Sequence, residues 1–136
     1  MHVRDAMSDN PLVVRPEASL GDAAEIMLER GFRHLPVVEG GALVGMLSDR
    51  DLRSLIAPRL ADAEALDALR ARYETPVSEV MVPDVEAIDP ESSLGEAIDR
   101  LLEAKVGALP VVDPGTGELL GILSYVDVLR ALREEG

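Results

Sequence analysis

Pro16-Glu17-Ala18-Ser19-Leu20-Gly21 is written a second time as Pro90-Glu91-Ser92-Ser93-Leu94-Gly95, and Leu35-Pro36-Val37-Val38 returns at the same offset as Leu109-Pro110-Val111-Val112. Working outward, Val3 to Glu39 falls on Val77 to Asp113, and 14 of those 37 pairs are identical. The second copy then carries two extra residues in Pro114-Gly115-Thr116-Gly117, a longer turn. Beyond it Gly45-Met46-Leu47-Ser48-Asp49-Arg50-Asp51 meets Gly121-Ile122-Leu123-Ser124-Tyr125-Val126-Asp127. A supersecondary unit of about 55 residues cannot bury its own sheet, so two copies in one chain predict a shared, packed module. The boundaries read as a first motif over 1–56, a linker with a helix over 57–76, and a second motif over 77–136.

Each copy carries the same local signals. Leu12-Val13-Val14 reads as a short strand ended by Pro16. Ser19 with Asp22, and Ser93 with Glu96, have the spacing of a capping box, in which the hydroxyl accepts from the third helical N–H and the carboxylate answers. Leu20, Ala23, Ala24, Met27 and Leu28 follow at helical spacing until Gly31 stops the helix. His34 to Val38 reads as a strand, Gly40-Gly41 as a turn, and Ala42 to Leu47 as the returning hairpin partner. Ser48 then caps a final helix through Arg50, Leu52 and Leu55. The expected fold class is therefore α+β, two β-α-β-β-α motifs related by a pseudo-twofold, packed sheet on sheet or helix on helix. Between them, Leu60 to Tyr73 predicts one linker helix between Pro58 and Pro76, with Leu66, Leu69 and Tyr73 on one side. Its acidic residues Asp62, Glu64 and Asp67 read as a solvated face.

Composition removes several classes of function. Thirteen Lys and Arg against 26 Asp and Glu give a net charge of −13. Nucleic-acid binders need a basic face to displace phosphate counterions, and anionic membranes repel an acidic surface. Neither partner is expected. No apolar run reaches the roughly 18 residues of a membrane span, and Met1-His2-Val3-Arg4-Asp5 lacks the basic-then-apolar order of a signal peptide, so a cytoplasmic location is expected. With no cysteine there is no disulfide, thiolate metal site or cysteine nucleophile, and His2 and His34 alone make a histidine metal site improbable. Aromatics are 2% of the chain, so the core must be aliphatic.

Three motifs carry a family resemblance: Val3-Arg4-Asp5-Ala6-Met7-Ser8 with Pro11, Arg33-His34-Leu35-Pro36-Val37-Val38, and Gly45-Met46-Leu47-Ser48-Asp49-Arg50-Asp51-Leu52-Arg53, each with its counterpart in the second copy. The chain resembles a tandem cystathionine-β-synthase (CBS) domain pair, or Bateman module, over essentially its whole length. That resemblance implies clefts between the motifs that hold adenosine-containing ligands, and disc-shaped dimers of modules.

From the residues themselves, Gly-x-x-Ser-x-x-Asp ends a strand and opens a helix. It places a hydroxyl, unpaired N–H groups and a carboxylate together, with Asp51 able to accept from two vicinal hydroxyls. The same spacing is a plain capping box, and spacing alone leaves both readings open. The resemblance assigns Asp51 and Asp127 to a ligand ribose, with Ser48 and Ser124 beside them. On an acidic chain an anionic ligand needs cations placed locally, which singles out Arg33, His34 and Arg50 for phosphate. In the second copy Gly107-Ala108 replaces Arg33-His34 and Tyr125-Val126 replaces Asp49-Arg50, so the two sites are expected to be unequal. Leu12, Met46, Val82, Val85 and Ile122, with backbone near Pro11 and Pro83, would flank the adenine. Ser8, Leu35 and Leu109 complete the expected ligand-binding set.

The expected ligands are AMP, ADP or ATP, with Mg2+ arriving only with ATP and no obligatory cofactor; S-adenosylmethionine and NAD are the alternatives. No nucleophile elbow, Walker loop or Ser–His–Asp set appears, so the chain is not expected to be an enzyme. Apolar residues from Val3 to Val14 and on the final helices (Leu55, Ile56, Leu129, Leu132) need cover, which predicts a homodimer and leaves any output to act on another, unidentified protein.

Overall fold

The computed structural model describes residues 1–56 and 63–135, with the backbone alone at 54–56 and 63–66. In chain order the elements are α1 (Val3–Ala6), β1 (Ser8–Asp9), α2 (Leu20–Arg30), β2 (His34–Glu39), β3 (Ala42–Ser48), α3 (Asp49–Ile56) and α4 (Ala63–Tyr73). A 3-10 turn at Val77–Glu79 follows, then β4 (Val82–Pro83), α5 (Leu94–Ala104), β5 (Ala108–Val112), β6 (Leu119–Ser124) and α6 (Tyr125–Glu135). The fold is mixed α+β, with two three-stranded sheets ordered β1-β6-β5 and β2-β3-β4.

The sheet orders carry the main finding. Each copy's leading segment joins the other copy's sheet. β1 pairs antiparallel with β6, Ser8 opposite Ile122, while β4 pairs antiparallel with β3, Met46 opposite Val82. Two compact units result. One holds Met1–Pro11, Gly40–Leu43 and Val85–Gly136; the other holds Leu12–Glu39 and Val44–Asp84. They are called here the Asp127 unit and the Asp51 unit.

The exchange is held by the same hydrogen bonds in both units. Val3 N–H donates to Ser92 C=O at 2.9 Å, Arg4 N–H to Pro90 C=O at 3.0 Å, and Leu94 N–H to Met1 C=O at 3.0 Å. Their equivalents are Val77 to Ala18 at 2.7 Å, Ser78 to Pro16 at 3.0 Å, and Leu20 to Thr75 at 2.9 Å. Apolar burial follows suit. Val3 is fully buried among Leu94, Leu101, Leu109, Leu123 and Val128, and Val77 among Leu20, Met27, Leu35, Leu47 and Leu52. Each core is thus completed by a valine from the other copy. Truncating one of the four fully buried leucines, Leu35, Leu47, Leu109 or Leu123, would cost about 2–5 kcal/mol through lost transfer energy and a residual cavity.

Two glycines make room for the exchange. A Cβ on Gly121 would stand 2.6 Å from the Ser8 carbonyl oxygen, and one on Gly45 would stand 2.5 Å from the Met81 sulfur. Gly121 demands a bare backbone because the Ser8 backbone crosses it, whereas the closest atoms at Gly45 belong to the flexible Met81 side chain.

Several expectations change. Leu12 to Val14 is no strand: Val14 makes a lone parallel bridge to Val37, and Leu12 and Val13 are exposed. Pro11 and Pro16 bracket the segment closely, and the edge it meets offers only the Pro36 carbonyl and the Val38 N–H. The second copy repeats this with Ile88 on Val111. Val3 does not await cover from another molecule, because the second copy already buries it. Ser19 and Ser93 cap α2 and α5 by accepting from Asp22 N–H at 3.0 Å and Glu96 N–H at 3.1 Å. α5 ends at Lys105, left-handed at φ 56°, where α2 ends at Gly31. Within the linker, residues 57–62 (Pro58, Leu60 and Asp62 among them) and the side chains of Leu55, Ile56, Glu64 and Leu66 lie outside the described residues. α4 is seen from Ala63, and the Tyr73 ring lies on Gly21 with its hydroxyl donating to Glu25 Oε1 at 3.0 Å.

Candidate functional site

Each unit builds one polar corner where a sheet strand hands over to a helix. In the Asp51 unit, β3 ends at Ser48 and α3 begins at Asp49. Asp51 N–H donates to Ser48 Oγ at 3.1 Å, and Ser48 N–H donates to Asp51 Oδ2 at 3.3 Å. In the Asp127 unit, Asp127 N–H donates to Ser124 Oγ at 3.1 Å and Ser124 N–H to Asp127 Oδ2 at 2.9 Å. These are reciprocal capping boxes, so the structural reading of Ser-x-x-Asp is realised in both copies. A cap leaves the second carboxylate oxygen to do other work.

One backbone bond brings the candidate phosphate contacts to the corner. Asp49 N–H donates to Arg33 C=O at 2.8 Å, fastening Arg33-His34 beside the start of α3. Tyr125 N–H does the same to Gly107 C=O at 3.0 Å, and Ala108 lies opposite Ser124 in the sheet register. Residues 16 and 18 positions apart in sequence thus become contacts. The exchanged strands complete the corners. Ser8 of β1 runs along β6 toward Asp127, and Val82 of β4 runs along β3 beside Met46.

The corners differ in which residues surround their aspartates. Asp127 is only 7% exposed, and its Oδ1 accepts from Ser8 Oγ at 3.4 Å and Arg130 Nη1 at 3.3 Å. Both of its oxygens are therefore partnered within the unit. In the Asp51 unit the position of Ser8 is taken by Val82 and that of Arg130 by Ser54, and Asp51 is half-buried. Arg33 and Arg50 are exposed at that corner. His34 departs from its expected part as a cation: burial, and then the charge of Arg33, hold its imidazole below the usual histidine value, with Asp49 and Asp51 pulling weakly the other way. At neutral pH His34 offers a neutral hydrogen-bonding ring, and the positive charge belongs to the arginines.

Of the remaining expected residues, Leu35 and Leu109 have side chains sealed in the two cores, which leaves their backbone alone to face a ligand. Met46 is buried at 7% exposure, whereas Leu12 and Val82 are exposed, and these three share the Asp51 unit. Pro11, Val85 and Ile122 belong to the Asp127 unit and are partly buried. Asn10 and Asp84 escaped notice in the sequence. Both hold a left-handed backbone, φ 47° and 51°, that turns the chain after β1 and β4. Asn and Asp are the residues that tolerate that conformation, and their matching position in both copies was the available signal. An apolar cavity of about 160 Å³ lies among Leu20, Ala24, Leu52, Leu69 and Tyr73, and its lining includes none of the expected ligand-binding residues. Among the described residues no cluster of three or more His, Asp or Glu is placed to hold a metal ion, and no helix is long and apolar enough to cross a membrane.

Known proteins share this arrangement. The CBS domain family model matches residues 3–58 and 77–134. The CBS domain-containing protein YhcV of Bacillus subtilis is 32% identical over 126 residues, covering 93% of this chain and 81% of that protein. Homoserine O-acetyltransferase of Methanococcoides burtonii is 30% identical over 131 residues, yet this chain spans just 24% of its length, so that enzyme carries the pair as an accessory part. Among solved structures, CBSX2 of Arabidopsis thaliana in complex with AMP matches with a TM-score of 0.82 at 34% identity, covering 98% of this chain and 96% of that one. With the family model matched twice, over both copies, this chain belongs to the CBS domain family as a tandem pair.

Proposed function

We propose that the protein is a regulatory module that binds AMP, ADP or ATP and passes metabolite status to a separate, unidentified partner. The carrying observation is the Asp51 corner, where the reciprocal Ser48/Asp51 cap opens α3, Asp49 N–H is bonded to the Arg33 carbonyl, and Arg33 and Arg50 are exposed. In this reading Asp51 takes the ribose hydroxyls, Ser48 supports them, and Arg33 and Arg50 take phosphate while neutral His34 donates or accepts at its edge. Leu12, Met46 and Val82 flank the base. The CBSX2 complex with AMP supports the choice of ligand class. S-adenosylmethionine and NAD are the ligands to be excluded, and Mg2+ enters only as the counterion of ATP.

The module is a homodimer without catalytic activity of its own, and it works in the cytoplasm. Its motifs span 1–56 and 77–136, with 57–76 as linker, and its ligand clefts are lined by both motifs. In the Asp127 corner, Ser8, Pro11, Val85, Gly107, Ala108, Ile122, Ser124 and Asp127 form a second site that takes phosphate poorly. A second reading, a dimerisation module with empty clefts, draws on the internal satisfaction of Asp127 by Ser8 and Arg130. Titration calorimetry with AMP, ATP, adenosine, NAD and S-adenosylmethionine separates the two. Adenine nucleotides should bind in preference to the others. No heat from any of the five at millimolar concentration overturns ligand binding and leaves the dimerisation module.

A further inference from the structure

Within the Asp51 unit, α2, α3 and α4 pack against one another in pairs. Where they meet, α2 presents two of its smallest residues, Gly21 and Ala24. A Cβ added to Gly21 would collide with the Tyr73 ring, so the ring takes the place of the missing side chain. Ala24 is too short to fill what remains. A cavity of about 160 Å³ lies beside the ring, walled by Leu20, Ala24, Leu52 and Leu69. Folded interiors hold few voids larger than a water molecule, so a cavity of this size in so small a unit is out of the ordinary. The motif does not impose it. In the second copy Ile98 stands at the position of Ala24 and packs against its own core. Gly95, at the position of Gly21, carries no ring: a Cβ there would meet only its cap residue, Ser93 Oγ at 3.9 Å.

We propose that this cavity is a binding site for a compact, uncharged apolar molecule of about the size of benzene, separate from the nucleotide corner. The walls decide the chemical class. They are carbon almost throughout, Arg72 included, and the Tyr73 hydroxyl is engaged by Glu25 Oε1 at 3.0 Å. A buried water needs two to four polar partners, which leucines, an alanine and a ring face do not supply. A charged guest would lose its hydration without replacement. Volume decides the size. Aliphatic cavities of about 150 Å³ stay dry and take up benzene or xenon, and this one is of that class. Entry needs no unfolding. Tyr73 is 48% exposed and its bond to Glu25 lies at the surface, so the ring can swing aside as exposed side chains do and close again over a guest.

Methyl NMR of the whole chain titrated with benzene tests the site. Benzene should shift the Leu20, Leu52 and Leu69 methyl signals saturably and raise the thermal midpoint, because a guest that binds only the folded state stabilises it. Ala24→Ile, which copies the second motif, should abolish both responses with the fold retained. Leu69→Ala carries the test independently of that variant: it enlarges the cavity and should admit indole, which the parent excludes. Excess AMP should leave benzene binding unchanged. No saturable shift in the parent overturns the site. Shifts that persist in Ala24→Ile, or that AMP abolishes, place benzene elsewhere and overturn it too, as does indole excluded by Leu69→Ala. Benzoate binding more tightly than benzene overturns the uncharged class of guest.

Discussion

The Asp51 and Asp127 corners are built from the same motif on the same backbone, yet they are prepared for different loads. Both close a reciprocal Ser/Asp cap at a strand-to-helix junction. Around Asp127 the chain supplies Ser8 and Arg130 to its remaining oxygen, and Gly107-Ala108 alongside. Around Asp51 it supplies Val82 instead of a hydroxyl, and Arg33 and Arg50 for an incoming anion. A ligand at Asp127 must displace contacts from Ser8 and Arg130, whereas the Asp51 corner adds the exposed cations Arg33 and Arg50. Motif identity therefore does not make equal sites. What surrounds the motif sets what it can bind.

The largest expected effect lies in ligand affinity. Asp51→Ala removes a charged acceptor for two hydroxyls and should weaken AMP by about 10- to 150-fold, or about 1.5–3 kcal/mol. Asp127→Ala should change AMP affinity far less, and Arg50→Ala should harm AMP while sparing adenosine. Calorimetry on the three variants checks this. Equal losses from Asp51→Ala and Asp127→Ala would erase the distinction between the corners. If Asp51 serves only as a cap, its removal lowers the melting temperature by a few degrees and leaves affinity unchanged.

Next in size is the pair of glycines. Gly121→Ala presses a methyl against the Ser8 carbonyl, part of a strand that cannot yield, whereas Gly45→Ala meets chiefly the flexible Met81 side chain. Overpacking of the first kind costs about 1–3 kcal/mol. Gly121→Ala should accordingly show the lower urea midpoint of the two. The reverse order would mean that the Asp51 unit holds its exchanged strand more rigidly.

pH offers a subtler contrast, because only the Asp51 corner has a histidine. Its pKa is depressed in the folded state, so the fold favours the neutral ring. That contribution is complete above about pH 6.5, the unfolded value, and is lost as pH falls from there through the folded value. His34→Ala, which copies Ala108, should flatten the decline in urea midpoint between pH 7.5 and 5.5. A bound phosphate favours the protonated ring, so wild-type affinity for AMP should strengthen over the same interval while adenosine binding stays level. Identical pH profiles for the variant and the parent would remove His34 from the corner's electrostatics.

The smallest effect concerns helix ends. Lys105 sits in the left-handed conformation that Gly31 fills in the first copy, and Lys105→Gly should raise stability by up to about 1 kcal/mol, read from thermal unfolding. A loss of stability would show that the Lys105 side chain makes up for its backbone.

Much of this protein is written locally. The repeat, the helix start at Ser19, the Gly40-Gly41 turn and the Ser-x-x-Asp caps follow from residues within a few positions of one another, and they survive in the structure because short-range bonds need no distant partner. The unequal corners are equally visible, since Gly107-Ala108 and Tyr125-Val126 are plain substitutions against the first copy. Other features depend on what arrives from far along the chain. Val3 has the same apolar character whether it packs on Leu20 or on Leu94, and a symmetric repeat makes the two choices nearly equivalent in local energy. The exchange of β1 and β4, the need for Gly121 to be bare, and the capture of Asp127 by Ser8 are all settled by which sheet edge is open when the chain packs. Burial decides the charge of His34 in the same way. Its sequence neighbours Arg33 and Leu35 are fixed, but the loss of water that keeps the ring neutral comes from elements brought together only by folding.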